Sequence, residues 1–331
     1  MKRFFVLISV AVLLLGSCAK YTNEGVNDTA VAFLKSWLKK NHPDAKATGR
    51  GVYILENIPG KYQMGSKDAY PYILLDYVLT DLEGNIKDYT DAKTAQQLGE
   101  FKEVNTYTPQ PYYRGEGGLP AGIEDAIEGM DIGGTRKVVI PGWLDTPQQY
   151  KTEQEYMDNV TGNTGIYYLT LRDQINDITK WEADSLGSFV FKNYGINPKD
   201  SLAFGYYFLS LDKPSDAEMP TDTTFNINYT GRLLNGQVFD TTIRDTAVVH
   251  GIYSKNKDYT TSSVQMAENF KEITLDSSAI IEGFSYTLSK MHPGERALGM
   301  FISLYGYSNT GSGKTIPPLS PLIFEIEIVK K

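Results

Sequence analysis

Cysteine occurs once in this chain, at Cys18, and histidine three times, at His42, His250 and His292. A single thiol excludes disulfides within the chain and multi-cysteine zinc sites. The histidines are scattered and match no metal spacing, so no metal or other cofactor is expected. Cationic excess is missing as well: 32 Lys and Arg stand against 40 Asp and Glu, a net charge of −8. Phosphate backbones require clustered positive charge, so nucleic acid is not an expected partner. No Gly-x-Ser-x-Gly elbow accompanies a plausible triad. Gly311-Ser312-Gly313-Lys314-Thr315 ends like a phosphate-binding loop, but Ser308 stands where its first glycine is required. Pro317-Pro318 also forbids the helix that must follow.

At 331 residues the chain exceeds one ordinary domain, and two are expected. Its 41% hydrophobic and 22% charged content are those of a globular protein. Tyrosine is over-represented at 23 copies, and rings with a polar tip suit binding surfaces. At the N-terminus, Met1-Lys2-Arg3 is followed by an almost wholly apolar run over residues 4–15. The run is too short to span a bilayer and reads as a signal-peptide core, with residues 1–17 removed. Leu15-Gly16-Ser17-Cys18 resembles the bacterial lipobox. That resemblance implies lipidation of Cys18 and a polar tether over residues 18–27. It places the protein in the cell envelope, anchored on the periplasmic face of the outer membrane or on the cell surface.

From residue 28 onward two sets of elements follow the same order. Asp28 is placed to cap a helix over residues 28–40, with Ala30, Phe33, Leu34, Trp37 and Leu38 on one face. Val52-Tyr53-Ile54-Leu55 then reads as a strand. The second set has a helix over residues 182–194 carrying Leu186, Phe189 and Val190, then the strand Tyr206-Tyr207-Phe208-Leu209. Alternating strands come next, with Ile73, Leu75, Tyr77 and Leu79 matched by Phe225, Ile227 and Tyr229. They run into the turns Glu83-Gly84-Asn85 and Asn235-Gly236. Short amphipathic helices then carry Gly122, Ile123, Ala126, Ile127 and Met130, or Gly283, Phe284, Leu288 and Met291. Val138-Val139-Ile140 and Met300-Phe301-Ile302 are the next strands. Tyr167-Tyr168-Leu169-Thr170-Leu171 and the apolar run at 322–328 close each set.

The boundary falls between about Asp173 and Trp181, giving units 28–177 and 178–331. Strands dominate around one short helix in each. The expected fold is α+β: two curled antiparallel sheets, each wrapped around a short helix and each preceded by a helical extension.

The second unit carries the chemistry. Tyr229-Thr230-Gly231, Leu234-Asn235-Gly236, Phe239-Asp240 and Arg244 come in quick succession. Ile280-Ile281-Glu282-Gly283-Phe284 and Met291-His292-Pro293-Gly294-Glu295-Arg296 follow, then Tyr305-Gly306-Tyr307, Ile316-Pro317-Pro318 and Leu322-Ile323-Phe324. Over residues 220–331 this ordered set resembles the FKBP-type peptidyl-prolyl cis-trans isomerases. The resemblance implies two FKBP-like domains and proline-containing polypeptides as partners, and leaves the oligomeric state open. It makes Tyr229, Phe239, Asp240, Ile281, Phe284, Tyr307 and Phe324 the catalytic positions, with Arg244, Ile280 and Ile316 contacting substrate. Phe239, Phe284 and Phe324 would wall the proline ring, and the Ile281 N–H and the Tyr307 hydroxyl would hold substrate carbonyls. Asp240 would organise Tyr229 or Arg244.

Two departures stand out. Phe284 takes the floor position where the family commonly has Trp. Residues 250–269 form a long polar stretch where the family has a short link, and they read as a flap, a partner-binding loop or an inert insertion. The first unit departs further. Lys87-Asp88 stand for Phe239-Asp240, Pro120 for Ile281 and Ile123 for Phe284, so the carboxylate remains while the aromatic wall and the rim N–H do not. Residues 28–177 therefore read as a degenerate copy without the pocket, and its segment Tyr107-Thr108-Pro109-Gln110-Pro111-Tyr112-Tyr113 as a binding loop or a cover for the sheet. The first functional reading is an envelope isomerase acting through the second unit. The others are a non-catalytic chaperone or binding lipoprotein, and a structural lipoprotein.

Overall fold

Alternation of apolar and polar residues over nine to ten positions becomes the central strand of each of two sheets in a computed structural model that describes residues 25–213 and 215–329. The expected signal segment and Cys18 lie outside the described residues. The chain enters on helix α1 (Val26–Asn41), whose N-cap is Gly25 rather than Asp28. Asp28 sits one turn in, and its carboxylate accepts the Gly25 N–H at 2.9 Å. Of the expected face, Leu34 and Leu38 are buried and Ala30 and Trp37 pack against the core, Asn27 is buried beside them, and Phe33 is left 57% exposed.

The first sheet is built from β1 (Tyr53–Ile58), β2 (Tyr72–Thr80), β3 (Ile86–Tyr89) and β4 (Gln110–Tyr113). Helix α2 (Ala121–Ile127), β5 (Thr135–Ile140) and β6 (Gly165–Ile175) complete it. Its strands lie in the order β1-β5-β6-β2, with β3 and β4 pairing successive parts of β2. After helix α3 (Ile178–Tyr194) come β7 (Tyr206–Asp212), β8 (Thr224–Leu233), β9 (Val238–Thr241) and β10 (Ser262–Gln265). Helix α4 (Glu282–Leu288), β11 (Arg296–Phe301) and β12 (Leu322–Ile328) follow. The order is β7-β11-β12-β8, with β9 and β10 again pairing β8.

These six strands therefore correspond between the two modules, every pairing antiparallel. Register repeats too. Leu79 lies between Asp88 and Tyr167 as Gly231 lies between Asp240 and Phe324. The Tyr77 N–H donates to Thr90 Oγ1 at 2.9 Å, and the Tyr229 N–H to Thr242 Oγ1 at 3.0 Å. Two stretches read as loops contain strands: β4 lies in the tyrosine-rich segment and β10 in the polar insertion. Pro111 in the one and the polar run of the other hide the alternation that marks β2 and β8. Each sheet buries its own apolar cluster under its short helix, with Ile123 and Ile127 from α2 and Phe284 and Leu288 from α4.

Helix α3 starts four residues earlier than periodicity implies, because Asp177 caps it by accepting the Lys180 N–H at 2.9 Å. Its buried stripe of Ile178, Leu186 and Val190 includes a carboxylate, Glu182, only 2% exposed. Glu182 accepts the Ser303 N–H at 2.7 Å and the Ser303 hydroxyl at 2.8 Å, which joins α3 to the end of β11. Burial raises its pKa against the opposing effect of those hydrogen bonds. Glu182→Ala strands the Ser303 N–H, and urea unfolding is expected to show a loss of about 2–3 kcal/mol. Glu182→Gln retains an acceptor and removes the buried charge. A raised folded-state pKa means the wild-type contribution is largest in acid and is lost as pH rises through that pKa. The glutamine variant should therefore gain on wild type with rising pH, and a constant difference would contradict this.

Among the described residues no helix is long and apolar enough to cross a membrane.

Candidate active site

Strand alternation sends Tyr229 and Gly231 of β8 to the same face of the second sheet, toward α4. Their neighbours in register bring Asp240 from β9 and Phe324 from β12 alongside. Tyr229 and Phe284 meet edge to face at 5.5 Å, Phe284 and Phe324 at 4.9 Å, and Phe239 and Phe324 at 5.5 Å. Such T-shaped contacts place the positive edge of one ring on the negative face of the next. Gly231 permits this packing: a Cβ there would come within 2.5 Å of the Phe239 ring and 2.9 Å of Phe324.

The rings open onto a cavity of about 560 Å³. Tyr229, Phe239, Asp240, Ile280, Ile281, Phe284, Tyr307, Ile316 and Phe324 all line it. The structure thus brings together every position expected from the sequence except Arg244. That residue starts the short helix Arg244–Val249 and lays its guanidinium over the Tyr253 ring at 5.2 Å, away from the lining. The cation beside Asp240 is instead Lys257, from the polar insertion. Sequence reasoning missed it because the lysine is seventeen positions from its partner, in a stretch with no periodic signal. Leu275, Ala279, Ser312 and Thr315 also line the cavity without having been singled out.

Asp240 is fully engaged. One oxygen accepts the Tyr229 hydroxyl at 2.7 Å, and the other accepts the Thr241 N–H at 2.9 Å and pairs with Lys257. Burial, reinforced by Asp240, pushes the Tyr229 phenol well above the ordinary tyrosine range, and Tyr307 is raised by the same two causes. Both hydroxyls are therefore held protonated as donors. At the rim, Ile281 is the N-cap of α4, and among the described residues its N–H has no partner. An uncommitted N–H beside an aromatic hollow is available to a ligand carbonyl. The site thus offers apolar ring walls, neutral phenols and one backbone donor.

The equivalent place in the first module keeps the polar pair and loses the hollow's size. The Tyr77 hydroxyl donates to Asp88 at 2.6 Å, and Tyr77 lies 6.0 Å from Tyr167, which occupies the position of Phe324. Leu79 stands in register where Gly231 is, Lys87 where Phe239 is, and Pro120 caps α2 where Ile281 caps α4. Beside Tyr77 and Asp88 lies a hollow of about 200 Å³, closed on its other side by Lys314, Pro317 and Pro318 of the second module.

The sequence model of the FKBP-type peptidyl-prolyl cis-trans isomerases matches residues 216–329, the span that builds the larger cavity. Macrophage infectivity potentiator of Trypanosoma cruzi is 29% identical over 130 residues, 39% of this chain and 54% of that protein, so this chain spans about half its length. A probable FKBP-type peptidyl-prolyl cis-trans isomerase of Haemophilus influenzae is 26% identical over 209 residues, 63% of this chain and 69% of that protein. FK506-binding protein 1A of Aspergillus fumigatus is 31% identical over 103 residues, 31% of this chain and 72% of that protein. With the aromatic cavity, these similarities establish that the chain belongs to the FKBP-type peptidyl-prolyl cis-trans isomerase family.

Proposed function

We propose that the protein isomerises prolyl peptide bonds through the cavity of its second module. One observation carries this reading: five aromatic rings, two of them protonated phenols, and a free rim N–H converge on one hollow. A prolyl bond has cis and trans forms within about 1 kcal/mol, separated by a resonance barrier of about 18–20 kcal/mol. Resonance places partial charge on the imide oxygen and nitrogen. A water-poor, ring-walled site disfavours that charge separation and so favours the twisted state, in which resonance is lost. Phe239, Phe284 and Phe324 enclose the proline ring, while the Ile281 N–H and the Tyr307 hydroxyl hold flanking carbonyls. Asp240, braced by Lys257, fixes the orientation of Tyr229. No nucleophile or general base takes part.

The lipobox-like Leu15-Gly16-Ser17-Cys18 supports attachment through Cys18 and clients among cell-envelope proteins. Slow prolyl isomerisation limits folding there as elsewhere. A non-catalytic binding role is the competing account, favoured by the reduced hollow of the first module.

Exchange NMR on a prolyl tetrapeptide separates the two. The full chain is expected to speed cis-trans exchange, and a rate equal to that of free peptide contradicts the proposal. The cavity lining contains no histidine or cysteine, and its tyrosines titrate upward of their usual range. The rate enhancement should consequently be flat between about pH 6 and about pH 9. A bell-shaped profile in that window would reveal acid–base chemistry foreign to this mechanism.

A further inference from the structure

The two modules meet where the 311–318 segment of the second faces the reduced hollow of the first. Tyr77, Asp88, Tyr89 and Thr106 line one side of that hollow, and Lys314, Pro317 and Pro318 line the other. The same segment turns Ser312, Thr315 and Ile316 into the larger cavity. It is therefore a shared wall between the two hollows.

The wall is held from both modules. Within the second, the Gly311 N–H donates to the Tyr307 carbonyl at 3.1 Å and Ile316 is buried in the apolar core, and the first module grips it from the other side. The Thr106 N–H donates to the Lys314 carbonyl at 2.8 Å, and its hydroxyl is shared between the Thr315 carbonyl at 3.0 Å and Gln237 Oε1 at 3.2 Å. Gln237, two residues before Phe239, donates from Nε2 to the Val104 carbonyl at 2.7 Å. The Lys314 ammonium lies over the Tyr89 ring at 5.5 Å. Within the segment, Ser312 and Ile316 exchange backbone hydrogen bonds of 2.7 and 3.1 Å. Gly311 and Gly313 both adopt positive φ, and two glycines give up more backbone freedom on ordering than any other residues would. The contacts from Thr106 add to the order that the Ser312–Ile316 bridge gives.

We propose that Thr106 of the first module is a positioning residue for the cavity of the second, holding the Lys314 and Thr315 carbonyls so that Thr315 and Ile316 present a fixed wall to a prolyl substrate. The degenerate module is thereby a brace. Its Tyr77–Asp88 hollow is covered by the chain's own Pro317-Pro318 rather than by a free peptide. This inference rests on the cavity being a proline site, as proposed above.

Thr106→Val in the full chain deletes the hydroxyl and keeps the N–H, and Thr106→Ser restores the hydroxyl. Wall positioning acts on substrate binding, so Thr106→Val should raise KM about three- to tenfold and change kcat by less than about twofold. Amide exchange at Ser312 and Ile316 should accelerate about tenfold in the same variant, and Thr106→Ser should return both readouts to wild type. Unchanged exchange at these amides in Thr106→Val would overturn the proposal, as would equal effects of the valine and serine variants. If the wild-type chain shows no isomerase activity, the functional reading fails, and the exchange data still decide whether Thr106 orders the wall.

Discussion

Phe239→Ala is expected to lower kcat/KM for a prolyl peptide by about tenfold or more, a loss of at least about 1.4 kcal/mol of transition-state stabilisation. Phe239 packs edge to face on Phe324 and lines the cavity from β9, the short strand pairing β8. Removing its ring admits water to the side of the hollow where the imide must shed its charge separation. The twisted state then loses its advantage over the planar one, so kcat should fall and not KM alone. The ring is only half-buried, so folding should survive with a cost of about 1–2 kcal/mol. Phe239→Leu, which keeps an apolar wall, should fall between the two. Equal rates for wild type and Phe239→Ala would remove the aromatic wall from the mechanism.

Gly231→Leu is expected to act more severely, by making the second module resemble the first. Leu79 stands at the position of Gly231, in the same register with the strands on either side. A leucine there must displace Phe239, whose ring lies 2.5 Å from the place of the new Cβ, and must crowd Phe324. Activity should drop by about a hundredfold, and overpacking should cost about 1–3 kcal/mol of stability. Thermal unfolding and exchange NMR on the same sample separate the two effects. A folded Gly231→Leu protein that retains wild-type turnover would show that the space between Phe239 and Phe324 is not where proline binds.

Much of this was legible in the chain itself, for identifiable reasons. Tyr77 and Tyr229 sit in long alternating strands whose period is unmistakable, and the turns at Gly84 and Gly236 mark where those strands reverse. Tyr229 and Phe324 lie on such strands and Phe284 at the start of α4, whereas Phe239 sits on the four-residue β9 and Tyr307 in a turn. The convergence of all five was therefore legible through the family resemblance rather than through periodicity. Contacts made by irregular segments did not follow. Lys257 reaches Asp240 from a polar insertion, while Arg244, closer in sequence, turns onto Tyr253. Glu182 occupies an i+4 position between apolar neighbours, where a carboxylate reads as an interruption of the stripe until Ser303 is seen opposite it. The grip of Thr106 on the 311–318 segment joins residues two hundred positions apart, which local pattern does not encode.

The most direct measurement is a two-dimensional exchange and NOE experiment on a prolyl tetrapeptide bound to the full-length protein. Exchange cross-peaks between cis and trans forms should build up faster than in free peptide, with NOEs from the proline ring to the Phe284 and Phe324 side chains. Proline contacts confined to other surfaces, or exchange no faster than in buffer, would contradict the account.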